Sequence, residues 1–173
     1  DLDNMCLNNL PKTLKHLRIS KWPLHFVPSM LPVSLEIFAV QLINFRQRAL
    51  EAEDLKGLEN LPRLRTFLIL GHAIYFDEDV FAFLPPQLTR LQMPVKGLIR
   101  SLESQLPLQQ LKQLRVLEMP PVEGATDTRA KFCFTSVAPE AFAHLPNTLE
   151  HLQLPPLDSS IVRNTTDYMA QLA

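Results

Sequence analysis

The chain has 173 residues, is 46% hydrophobic and 20% charged, and sets 17 Lys and Arg against 18 Asp and Glu for a net charge of −1. That is one ordinary domain's length with ample core material, which excludes a disordered chain; the near-neutral balance argues against a strongly basic nucleic-acid domain. No apolar run reaches the roughly 18 residues of a membrane span, and two cysteines cannot build a disulfide framework, so a reducing compartment is expected.

Leucine fills 32 positions, and proline, at 15, outnumbers glycine, at 4. Such a leucine excess calls for a search for a period. Six segments align on Leu-x-x-Leu/Phe-x-apolar. The first, Leu14/Leu17/Ile19, follows Leu10-Pro11. It carries a basic cluster, Lys12, Lys15, His16, Arg18 and Lys21. Poor aromatic interleaving makes this a solvated face or the contact for a partner's acidic patch in preference to a nucleic-acid site. The second segment, Leu35/Phe38/Val40, follows Leu31-Pro32. Leu50, Leu55, Leu58 and Leu61 then fall near helical spacing behind Glu51, Glu53 and Asp54, which predicts a short helix with acids at its positive end.

The third segment, Leu64/Phe67/Ile69, follows Leu61-Pro62. Asp77, Glu78 and Asp79 before Val80, Phe81 and Leu84 predict another short helix. The fourth segment, Leu88/Leu91/Met93, follows Leu84-Pro85, whereas the fifth, Leu114/Leu117/Met119, follows Leu111-Lys112. Residues 120–136 are turn-rich and polar as far as Phe132. They predict an excursion whose Phe132, Cys133 and Phe134 tuck back against the helical side. The sixth segment, Leu149/Leu152/Leu154, follows Leu145-Pro146. Its approach, Phe142-Ala143-His144-Leu145-Pro146, matches Phe81-Ala82-Phe83-Leu84-Pro85. Steps between the middle residues are 21, 29, 24, 26 and 35. Met169 to Leu172 repeats the approach with no strand after it, and Leu7 to Leu14 reads as a unit in progress. The array is therefore expected to continue past both ends.

In each segment the last two apolar residues are two apart, so as a strand they share one face. A proline just upstream cannot donate to a ladder and marks the strand's entrance. Each unit then reads as strand, turn and short helix. None can bury its apolar side alone, so the units must stack.

This pattern resembles the leucine-rich repeat family over nearly the whole chain. The resemblance implies a single α/β solenoid of about six units across 1–173, with a parallel sheet on the concave side and short helices and loops on the convex side. The asparagine that the family usually carries three positions past the strand is absent. Those places hold Trp22, Ile43, His72, Lys96, Val122 and Leu157. The unequal steps fit an irregular array, similar to those of F-box and other intracellular proteins. The implied function is a non-catalytic scaffold that binds a protein or peptide on the concave face, with substrate recruitment as in F-box adaptors as one concrete form. The alternatives are the recognition part of an enzyme, such as an effector or ubiquitin ligase, whose catalytic domain lies outside this stretch, or a surface receptor or adhesin ectodomain.

Catalytic motifs are wanting. No His-Glu-x-x-His, Cys-x-x-Cys, Gly-x-Ser-x-Gly or phosphate-loop string occurs, and His16, His25, His72, His144 and His151 are scattered. Cys6 and Cys133 read as buried reduced thiols. Asn164-Thr165-Thr166 is a glycosylation sequon near chance level. No enzyme activity, cofactor, metal or nucleic acid is expected; the expected compartment is the cytoplasm, and the oligomeric state is open.

Residues between the marker leucines point away from the core. The candidate binding residues on that face are Arg18, Ile37, Ala39, Leu42, Leu68, Leu70, Arg90, Gln92 and Glu118. Ile37, Ala39, Leu42, Leu68 and Leu70 are expected to form an apolar patch flanked by Arg18 and Arg90, a kind of surface that monomers seldom leave unused.

Overall fold

The computed structural model describes Leu7 and residues 9–20, 27–42, 52–71, 82–93, 108–119 and 145–153. Six strands run through these: β1 (His16–Ile19), β2 (Ile37–Leu42), β3 (Thr66–Gly71), β4 (Arg90–Gln92), β5 (Val116–Glu118) and β6 (His151–Gln153). They form one six-stranded sheet in the order β1-β2-β3-β4-β5-β6, with every pairing parallel. Parallel strands with few helices are consistent with the expected α/β class. Unequal linkers do not disturb the register. Leu17, Phe38, Phe67, Leu91, Leu117 and Leu152, the six middle residues of the aligned segments, pair in a single transverse row.

A turn delivers the chain into each strand. The N–H of the first motif leucine donates to a carbonyl three residues back: Leu14 to Pro11, Leu35 to Pro32, Leu88 to Pro85 and Leu149 to Pro146, at 2.9 to 3.1 Å. In the third and fifth segments the acceptors are Leu61 and Leu111 instead. Pro62 therefore sits one position later in its turn than the other marker prolines, where a preset φ favours a turn, and Lys112 holds the equivalent place. One residue past each turn lies a carbonyl that accepts two N–H groups from the next segment. Lys15 accepts from Glu36 and Ile37, Glu36 from Arg65 and Thr66, and Arg65 from Thr89 and Arg90. Thr89 accepts from Arg115 and Val116, and Arg115 from Glu150 and His151.

The core lies on one side of the sheet. Phe38, Val40, Phe67, Ile69, Leu91, Met93, Leu117 and Met119 are fully buried there, with Leu35, Leu64, Leu88 and Leu114 just before the strands. The Phe38 and Phe67 rings stack at 5.6 Å and 15°. At the edge strands β1 and β6, Leu17 and Leu152, and Leu14 and Leu149 just before them, are only partly buried, because each of these strands has a neighbour on one side.

The helix predicted across Leu50–Leu61 is broken in two. The helix α1 (Ala52–Leu55) stops after four residues, and a three-residue 3₁₀ helix, Leu58–Asn60, follows. Between them Gly57 adopts φ 106°, and a Cβ there would lie 2.7 Å from the backbone nitrogen of Ser29. Leu55, Leu58 and Leu61 still reach the core, but from two separate elements. Two more 3₁₀ helices, Pro28–Met30 and Leu108–Gln110, precede β2 and β5. The excursion at 120–136, the helix start at Asp77–Asp79, both cysteines and the sequon lie outside the described residues. No helix among the described residues is long and apolar enough to cross a membrane.

Candidate functional site

The face of the sheet opposite the core is built from alternate strand residues, because successive side chains leave a pleated strand on opposite sides. Pairing places Arg18, Ala39, Leu68, Gln92, Glu118 and Gln153 in one row across the six strands. One row nearer the strand entrances stand His16, Ile37, Thr66, Arg90, Val116 and His151. Eight of the nine residues expected to form the binding face thus belong to two adjacent rows or, with Leu70 beside Gln41, to a third. The ninth, Leu42, ends β2 opposite Gly71; its side chain lies outside the described part.

Burial differs from strand to strand on this face. Ile37, Leu68 and Leu70 are half-buried. Ala39 is only 6% exposed, because its single methyl sits between the longer side chains of Arg18 and Leu68 in its row. The apolar surface over β2 and β3 therefore comes from Ile37, Leu68 and Leu70, with Ala39 as the low floor between them.

Charge on the face is partly internal. Arg90 donates to both carboxylate oxygens of Glu118 from its Nε–Nη2 edge, at 2.9, 3.0 and 3.3 Å, and the Glu118 side chain is only 16% exposed. The expected flanking role of Arg90 changes accordingly: its charge already has a partner one strand away. Arg18 is different. Its contact is a long 3.4 Å hydrogen bond to the neutral amide of Gln41.

A second set of groups stands at the strand entrances. Lys15, Glu36, Arg65, Thr89, Arg115 and Glu150 form the column whose carbonyls carry the paired hydrogen bonds. Lys15 and Glu36 pair at 3.0 Å, as do Arg115 and Glu150. The Lys15 hydrogen bond holds the Glu36 carboxyl below its ordinary 4.5, opposed by desolvation and aided by the charges of Lys15, His16 and Arg63. Arg65 has no carboxylate partner among the described residues and donates to the Gln87 carbonyl at 3.1 Å. This column was readable in the sequence: two positions before each middle residue stands a charged residue or threonine.

Polar side chains also tie neighbouring segments at their turns. Ser34 donates to the Leu14 carbonyl at 2.7 Å, Gln87 to Leu61 at 2.7 Å and Thr148 to Leu114 at 2.8 Å. Between the turns before β5 and β6 lies an open polar cleft of about 460 Å³, lined in part by Lys112, Gln113, Asn147 and Thr148. Among the described residues no three His, Cys, Asp or Glu side chains are grouped to hold a metal ion. Compared with protein-family models, with curated proteins and with solved structures, the chain matches none.

Proposed function

We propose that this chain is a non-catalytic protein-binding scaffold of the leucine-rich repeat kind, a solenoid of about six units whose concave sheet face holds a protein or peptide. One observation carries the reading: the four central strands bury one side completely, yet the other side keeps Ile37, Leu68 and Leu70 half-exposed in adjacent strands. Leaving apolar side chains in water forgoes burial energy of about 25 cal/mol per Å², and contiguous apolar surface of this kind marks contact sites. A rigid sheet also presents its side chains without the ordering cost that a loop surface incurs on binding.

Substrate recruitment of the F-box adaptor type is the concrete form of this proposal, and it rests on the family resemblance. The second reading is the recognition part of an enzyme whose catalytic domain lies outside these 173 residues. Either use requires the same face. Leu68→Asp tests it: the proposal expects an unchanged circular dichroism spectrum and lost partner capture. Unfolding of that variant would invert the assignment of the two sheet faces.

A further inference from the structure

The turns before β3 and β5 are built alike, and so are those before β4 and β6. In the first two the motif leucine donates to Leu61 or Leu111, and in the second two to Pro85 or Pro146. The junction of the fifth and sixth segments is thus the counterpart, position by position, of that between the third and fourth. At the earlier junction the long Gln87 side chain crosses to the Leu61 carbonyl at 2.7 Å, and Arg65 reaches the Gln87 carbonyl at 3.1 Å. At the later one Thr148 stands in the place of Gln87, and its short side chain goes to the Leu114 carbonyl at 2.8 Å. Arg115, the counterpart of Arg65, turns instead to the Glu150 carboxylate at 3.0 Å. With the crossing side chain shortened and the arginine drawn to a carboxylate, the space between the later turns stays open as the cleft of about 460 Å³. That volume falls within the roughly 300–1,000 Å³ of small-molecule sites.

The walls differ in chemistry as well. Where the earlier junction has Pro62, Arg63 and Pro86, the later one has Lys112, Gln113 and Asn147. All three line the cleft and are exposed. Lys112 has no carboxylate partner among the described residues, whereas Arg115 is paired with Glu150. The cleft thus offers one uncompensated positive charge. Around it stand groups with acceptor capacity to spare: the Glu150 carboxylate and the carboxamide oxygens of Gln113 and Asn147. The hydroxyls of Thr89 and Thr148 add to these, because their protons are already given to the Arg65 and Leu114 carbonyls. Half-buried Leu149 supplies an apolar surface.

We propose that this cleft binds a sugar acid, a monocarboxylate that also carries several hydroxyls. Its carboxylate takes the Lys112 ammonium in a charge-assisted hydrogen bond. Its hydroxyls donate to the acceptors of the wall, and the carboxamides of Gln113 and Asn147 donate back to its oxygens. Its C–H face covers Leu149 and the aliphatic stem of Lys112. A phosphate dianion fits less well, since its second charge meets Glu150 and it brings no donors to an acceptor-rich wall. The site shares no residue with the sheet face assigned to protein binding and does not depend on that reading.

The test is isothermal titration calorimetry on the full chain with glucuronate, and with glucose, acetate and glucose 6-phosphate as comparators. Expected is binding of glucuronate about tenfold or more tighter than that of glucose or acetate. Lys112→Gln should bring glucuronate down to the level of glucose, and Thr148→Gln, which restores the longer side chain of the earlier junction, should weaken it by about tenfold. Both positions are exposed, so these variants keep the fold, as a thermal melt will verify. Leu68→Asp, on the sheet face, should leave glucuronate binding unchanged. Acetate binding as well as glucuronate would remove the hydroxyls from the account, and glucose as well would remove the carboxylate; either overturns the proposal. Tighter binding of glucose 6-phosphate would replace the sugar acid with a phosphate ligand. Glucuronate binding untouched by both cleft variants, or no binding at all, would overturn the site and leave the protein-binding face standing.

Discussion

At the scale of single residues, two positions connect sequence to measurable behaviour. Glu36 is held ionised by Lys15, so its folded pKa lies below the ordinary 4.5. A carboxyl with a depressed folded pKa stabilises the folded state above its unfolded value. That contribution is lost as pH falls through the folded one. Lys15→Ala should therefore raise the Glu36 titration midpoint toward 4.5, read by NMR on the side-chain carboxyl. High salt should move it the same way, since the pair is exposed and screened. A midpoint indifferent to both changes would dissolve the pair. Gly57 is constrained twice, by its left-handed φ and by the Ser29 backbone that a Cβ would meet at 2.7 Å. The conformation alone costs an L-residue about 1–2 kcal/mol. Gly57→Ala should destabilise by at least that much in chemical denaturation, and an unchanged midpoint would mean that the α1-to-3₁₀ break is not as described.

At the scale of elements, the strands were legible because their signal is local. Two apolar residues two apart, repeated six times, fix both the strand and its inward face, and the same markers supply the register. Leu91 illustrates the consequence. It is fully buried at the centre of its row, so Leu91→Ala should cost about 2–5 kcal/mol through the cavity it leaves. The connecting elements were less legible. Leucines at helical spacing over Leu55, Leu58 and Leu61 serve two short elements, because only the tertiary approach of Ser29 reveals what Gly57 is for. The ties from Ser34, Gln87 and Thr148 to the preceding segments were equally hidden: Ser, Gln and Thr share no single-letter pattern. Ser34→Ala should remove a part-buried hydrogen bond and lower stability by about 0.5–1.5 kcal/mol. A melt superimposable on that of the parent would make the tie ornamental.

At the scale of the whole molecule, composition concealed what the sheet displays. The segments of the first three strands, 11–20, 32–42 and 61–71, carry Lys12, Lys15, Arg18, Arg63 and Arg65 against Glu36, and acids elsewhere in the chain bring the overall charge near neutral. The direction of Arg18, Leu68 and Arg90 was readable from alternation, but their partners were not. Pairing of Arg90 with Glu118 depends on a residue 28 positions away.

The central claim is that one side of this sheet holds the molecule together and the other is free to bind. Leu68 and Ile69 are neighbours in β3 and test it as a pair, since Ile69 is fully buried and Leu68 only half so. Thermal unfolding of Leu68→Asp and Ile69→Asp, followed by circular dichroism, is the most direct measurement. The account predicts a cooperative melt close to the parent's for the first and loss of the folded state for the second. Unfolding by Leu68→Asp with a tolerated Ile69→Asp would contradict it.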